Sequence, residues 1–171
     1  MRSLLIALSA AAALSACASV TPGPKAVAKL EPTKGNTVSG TVRFQQMGDK
    51  VQVSGDVRGL KPNAEHGFHV HEKGDCSSGD GMSAGGHFNP AGKPHAHHSS
   101  ADRHAGDLPN LKANGEGVAT FTVETPLLAV GSGPNNVIGR SVIVHRDPDD
   151  YASQPAGNSG PRLACGLIVA N

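Results

Sequence analysis

The chain of 171 residues contains no tryptophan, one tyrosine and four phenylalanines. With aromatics at 3% and 22 glycines, the composition speaks against a helical bundle. It favours short, valine-rich strands joined by tight turns. A strong charge of either sign is also missing, since the formal net charge is +1. That excludes the basic field with which a protein holds nucleic acid, so no nucleic-acid partner is expected. Histidine is absent from both ends of the chain. All nine lie between His66 and His145. Cysteine is scarce, and its count of three is odd.

No membrane-length apolar run opens the chain. In "MRSLLIALSAAAALSACAS", Arg2 supplies a short positive region, and the apolar stretch from Leu4 to Leu14 is too short to cross a bilayer. The pattern predicts a signal peptide over 1–16. "LSAC", Leu14 to Cys17, resembles the lipobox of bacterial lipoproteins, which implies cleavage before Cys17 and acylation of its sulfur. Ordinary cleavage after "ACA", Ala16 to Ala18, is the alternative. Cleavage before Cys17 removes one charged side chain, Arg2, and leaves 14 bases against 14 acids. Any steering of charged ligands must then come from local fields. Export to the periplasm, with membrane attachment only through Cys17, also bears on the thiols. If Cys17 is lipidated, Cys76 and Cys165 remain, and an oxidising compartment makes a disulfide their default.

Residues 17–36 are rich in Pro, Ala and Lys and read as a tether, with the folded domain over 37–171. Alternation begins at "TVSGTVRF", which places Val38, Gly40, Val42 and Phe44 on one side. "KVQVSGDV" does the same with Val51, Val53 and Val57, and "QMGD" between them suits a hairpin turn. "EHGFHVH", a hairpin around Asn114-Gly115 in "NLKANGEGVATFTVE", "VIGRSVIVH" and "RLACGLIVA" complete the strand set. Short strands with turns between them predict an all-β, antiparallel sandwich or barrel. Two segments fit no strand, about Glu72 to Pro109 and about Arg146 to Pro161. Loops of that length inside a domain are usually functional or disordered.

The first of these loops carries His87, His95, His97, His98, His104 and Asp107. Just before it, "GFHVHE" places His69 and His71 on one face of a strand and Phe68 and Val70 on the other. A solvated polar face is the plain explanation; two imidazoles aimed at one metal is the sharper one. His145 ends another strand. Imidazole suits copper and zinc, and three His with one Asp make a tetrahedral zinc set.

"GFHVHE", "GGHFNP", "RHAGDLPN", "VIVH" and "GNSGPRLACG" resemble, in order and spacing, the copper–zinc superoxide dismutases, over about residues 36 to 171. The resemblance implies an immunoglobulin-like Greek-key β-barrel or sandwich with two long functional loops. That architecture is a general property of the family rather than something read from these residues. It assigns one copper to His69, His71, His87 and His145, and one zinc to His87, His95, His104 and Asp107. His87 resembles the bridging histidine, shared by both metals. His97 and His98 are solvated, assist metal capture, or replace His95, which the spacing favours. Asp149 matches a carboxylate that hydrogen-bonds a ligand of each metal; the plain alternative is a loop acid beside Asp147 and Asp150. His66 matches a structural position. Cys76 and Cys165 match the family's disulfide, a crosslink worth about 4–5 kcal/mol in the chain-entropy account.

Arg162 matches the arginine that orients the anionic substrate beside copper, a task for an always-charged, forked donor. The implied reaction is dismutation of superoxide to dioxygen and hydrogen peroxide as copper alternates between two oxidation states. His87 carries a proton in that cycle, and zinc holds His87 and the loop. Arg162 and His87 are thus the expected catalytic residues. A non-catalytic copper-binding relative commonly lacks a copper ligand or this arginine, and both are present here. A periplasmic metal buffer, suggested by "HAHH", has no need of "PRLACG". Bacterial relatives include monomers and dimers, so a homodimer is left open.

Overall fold

Val42 and Phe44 on one strand, and Val51, Val53 and Val57 on the next, are each at most 1% exposed. Alternate residues of a strand share a face, so these five define the inner face of the sheet. The computed structural model describes residues 22–171. The expected signal peptide and Cys17 lie outside the described residues. Strands run β1 Pro22–Pro32, β2 Ser39–Met47, β3 Lys50–Arg58, β4 Glu65–His66, β5 Phe68–His71, β6 Leu111–Lys112, β7 Ala119–Thr125, β8 Ser141–His145 and β9 Arg162–Ala170. Among the described residues, one turn of 3-10 helix, Met82–Ala84, is the only helical element.

Seven strands form one curled antiparallel sheet in the order β5-β8-β9-β1-β2-β3-β7. β5 and β7 are its edges, and β4 and β6 form a separate two-stranded sheet in which His66 opposes Leu111. Crossing connections between the two edges give the Greek-key arrangement, and the all-β expectation holds. Met47 opposes Lys50 across a two-residue turn, and Gly48 takes φ 62° there, as primed hairpin turns demand. At the second expected hairpin, Asn114 Oδ1 accepts from the amides of Glu116 and Val118, but β6 pairs with β4 instead of β7.

The tether expected over 17–36 is corrected from Pro22 onward. Residues 22–32 form β1, a central strand paired with β2 (Ala26 to Phe44) and with β9 (Ala28 to Ile168). Ala26, Ala28 and Leu30 alternate into the core. Two of those three are alanines, which carry almost no strand signal, so pairing on both edges decides what propensity does not.

The inner face closes on one core that includes Leu30, Val42, Phe44, Phe68, Val70, Val142, Val144 and Ile168. Phe68 meets Phe121 edge to face, with ring centroids 5.0 Å apart. β8 departs from the usual alternation because all five of its residues are buried. Val142 and Val144 join the core, whereas Ile143 packs outward against Ala84 and the Cys76–Cys165 disulfide. The long connections, 72–110 and 146–161, therefore cover the outer face of β5 and β8.

Candidate metal centre

β5 places Phe68 and Val70 inward and His69 and His71 outward, and the outer pair is as buried as the inner one. The loop after β5 returns along its free edge. Phe88 donates to the Val70 carbonyl at 2.8 Å, and Val70 donates to that of Gly106 at 3.0 Å. This pairing sets His71 opposite His87 and His69 opposite Asp107. β8 ends beside Gly67, whose carbonyl accepts from the His145 amide at 2.8 Å. Three chain segments thus deliver four imidazoles to one place.

Two groups of four result. His69, His71, His87 and His145 form one, and His87, His95, His104 and Asp107 the other. Within each group the candidate ligand atoms lie within 4.8 Å of one another, and every residue is buried. His87 belongs to both. His97 and His98 stand outside, with His97 exposed and edge-on to Tyr151. Their rings belong to neither group.

The unpartnered atoms give the test of fit. Nδ1 of His69 and Nε2 of His71, His87 and His145 are buried with no hydrogen-bond partner. Buried polar atoms are normally satisfied, and four of them converging on one point is the donor set of a metal. The opposite ring nitrogens are all committed. His69 Nε2 donates to Asp149 at 2.8 Å, His71 Nδ1 to the Gly85 carbonyl at 2.9 Å and His145 Nδ1 to that of Gly160 at 3.1 Å. Such partners fix tautomer and ring direction. In the second group, Nδ1 of His87, His95 and His104 lie 2.8, 3.0 and 3.3 Å from Asp107 Oδ1. The Nδ1 atoms of His87 and His104 face each other at 3.4 Å, a spacing that suits a shared cation.

Electrostatics separates the two groups. Burial pushes the His145 pKa down to about 3, helped by His69, His87 and Arg162. Burial takes His87 to about 4 against the pull of Asp107. Both imidazoles are therefore neutral and ready to ligate. Burial also opposes a charge on His95. Asp107 and Asp149, one on each ring nitrogen, outweigh it and hold its pKa at about 9. Burial disfavours the Asp107 charge as well, but hydrogen bonds from His104, His87 and His95 keep its carboxyl far below the ordinary range.

Asp149 spans the groups, with Oδ2 on His69 and Oδ1 on His95 at 2.9 Å. It sits beside Gly157, which takes φ 65° and where a Cβ would overlap the carboxylate.

A family model described as copper/zinc superoxide dismutase matches residues 38–168. The chain belongs to the copper/zinc superoxide dismutase family. A curated relative, "Superoxide dismutase [Cu-Zn] 2" of Brassica juncea, is 48% identical over 151 residues, covering 84% of this chain and 96% of that protein. A solved structure titled "Crystal Structure Analysis of the clock protein EA4" superposes with a TM-score of 0.78 at 40% identity. It covers 86% of this chain and 94% of the other. The donor sets of this superoxide dismutase domain fit one copper and one zinc.

Arg162 opens β9 opposite His145. Its Nη1 and Nη2 donate to the carbonyls of Gly81 and Gly85 at 2.7 and 2.6 Å. His66 is buried with Nδ1 on the His145 carbonyl, a structural place. The sequence reading passed over two residues of the superoxide dismutase centre. Asn110 accepts from the Asp149 amide and donates to its carbonyl, clamping that residue. It lies inside "RHAGDLPN", so a motif signal existed. Gln154 holds both backbone groups of His95 across the loops and has no sequence signal.

Proposed function

We infer that this chain dismutates superoxide outside the cytoplasm, with copper held by His69, His71, His87 and His145 and zinc held by His87, His95, His104 and Asp107. The observation that carries the reading is the convergence of four unpartnered buried nitrogens on one point, with His87 shared between two donor sets. Copper supplies one-electron chemistry, and zinc supplies charge and shape without redox.

The chain's own residues do the remainder. Arg162 spends two of its five N–H donors on carbonyls, which aims the guanidinium at the opening it shares with His145. There it attracts a small anion with charge and forked donors. His87 turns Nδ1 toward Asp107 and His104, the zinc donors, so Nε2 is the atom that takes and returns a proton. Asp149 and Asn110 keep the His69 and His95 rings in place.

Export is supported by the N-terminal pattern and by the Cys76–Cys165 bridge, a bond typical of oxidising compartments. Acylation at Cys17 anchors the domain to a membrane in this reading; mass spectrometry of the exported protein and membrane release by Cys17→Ser check it. Exposed Leu167 and Val169 on β9 suit coverage by a second copy, and sedimentation velocity distinguishes monomer from homodimer.

The function is tested by metal analysis and stopped-flow superoxide decay on the purified domain. One copper and one zinc per chain with rapid decay is expected. Tight metal binding without decay favours a metal buffer or a non-catalytic relative instead.

A further inference from the structure

The chain has three methionines, Met1, Met47 and Met82. Met82 is 60% exposed, a poor place for an apolar side chain. It does not project into empty surroundings. With His145, Arg162, Gly160 and Ser159 it lines an opening of about 250 Å³, in which His145 is the member of the four-histidine group that is reached. Among the described residues, Met82 is the only sulfur-bearing side chain lining that opening.

The turn that carries Met82 is firmly held. Its amide donates to Asp80 Oδ1 at 2.9 Å, and its carbonyl accepts from the Gly85 amide at 3.1 Å. Next in the chain, Ser83 Oγ donates to the Asp75 carbonyl at 2.8 Å, and Ala84 packs against the Cys76–Cys165 bridge. The backbone that carries the thioether is thus fixed at an opening that His145 also lines, and His145 Nε2 is buried and unpartnered.

Metal entering by this route meets an obstacle. The guanidinium that attracts an anion repels a cation, and the four histidine nitrogens lie deep in the protein. A neutral donor at the rim overcomes the repulsion without adding negative charge that would deter the substrate. A thioether is such a donor, and it selects Cu(I) over harder ions. We propose that Met82 is the entry ligand for Cu(I). Its sulfur and His145 Nε2 hold the ion at the mouth before His69, His71 and His87 take it inward. The proposal rests on the four-histidine copper assignment above. No electron moves in this step; solvent or carrier ligands on Cu(I) are exchanged for sulfur and then for nitrogen.

The test uses zinc-loaded, copper-free protein with its disulfide intact. Cu(I) is supplied anaerobically as its bicinchoninate complex, and transfer is followed by loss of the complex's colour. Met82→Leu keeps the volume and removes the donor. It should slow Cu(I) uptake about tenfold, the lower end of what losing a metal-orienting partner costs. Final copper occupancy and superoxide decay per bound copper should be unchanged. Uptake of Cu(II) from its glycine complex should be equally fast in both proteins, because a thioether is a weak ligand for Cu(II). Equal Cu(I) rates in the two proteins overturn the proposal, as does equal slowing with both oxidation states, which would mean a steric gate.

X-ray absorption on His71→Ala protein carrying Cu(I) should show a sulfur neighbour that Met82→Leu removes. Its absence also overturns the proposal. A wild type that takes up no copper overturns the four-histidine assignment and the entry ligand with it. A wild type that fills normally, at a rate indifferent to Met82, overturns only the entry ligand.

Discussion

Arg162 Nη2 donates to the Gly85 carbonyl at 2.6 Å, the same oxygen to which His71 Nδ1 donates at 2.9 Å. One backbone group therefore orients both the Arg162 guanidinium and an imidazole of the four-histidine group. Superoxide has almost no surface to bury, so speed must come from charge near the site. Arg162→Ala should leave both metals bound and cut superoxide decay severalfold or more. Arg162→Lys should recover much of the loss by keeping charge without the fork, and Arg162→Glu should be slowest. Added salt should slow the wild type more than Arg162→Ala. Stopped-flow decay at matched copper occupancy checks the series; equal rates in all four proteins would reduce Arg162 to a surface cation.

His145 is in the first donor group and absent from the second. His145→Ala should therefore keep zinc and lose dismutation. Metal analysis alongside the activity assay decides, and a variant that retains copper and substantial activity refutes the assignment.

The zinc histidines should rank by placement. His95→Ala should weaken zinc binding sharply, while His97→Ala and His98→Ala should barely change it, because their rings stay out of the donor group. Protonation gives a second readout. His95 is held at about 9 in the metal-free protein, so zinc binding at pH 7.5 should release about one proton from it. Calorimetry in buffers of different ionisation enthalpy measures that release, which should vanish in His95→Ala. The same shifts set the stability of the metal-free domain. His87 and His145 sit at about 4 and about 3, below the unfolded value of about 6.5. The unfolded chain thus takes up protons first, and their contribution is lost as pH falls through that window. His95 acts oppositely, and its contribution is lost as pH rises from about 6.5 towards 9. Melting temperature against pH should fall on both sides, with the alkaline decline missing in His95→Ala.

Asp149 and Gly157 should behave as a pair. Asp149→Asn removes the charge that holds His69 and His95, and Gly157→Ala pushes a methyl into the Asp149 carboxylate. Each should lower zinc affinity about 10–100-fold, as loss of a ligand's hydrogen-bond partner does. Chelator competition measures this, and unchanged affinity in Asp149→Asn would leave it a mere loop acid.

Much of the centre was legible in one dimension, because metal ligands are chemically restricted residues at short spacings. HVH on a strand projects both imidazoles to one side whatever surrounds it, and His87, His95, His104 and Asp107 follow within one loop. The valine alternation of β2 and β3 and the Gly48 turn were equally local. Other features needed the third dimension. β1 was hidden because Ala26 and Ala28 become strand residues only through β2 and β9 on either side. The turn expected at Asn114 forms, with the Asn114 amide on the Val118 carbonyl, but before it β6 takes β4 as its ladder partner. Asn110 and Gln154 act through backbone groups 39 and 59 residues away, and no spacing rule reaches so far. The amino-acid sequence by itself determined which side chains can bind metal and which strands carry them. Tertiary structure alone decided which ring nitrogen of each histidine is free, since that depends on a partner brought from a distant segment: Asp149 for His69, Gly85 for His71 and Gly160 for His145.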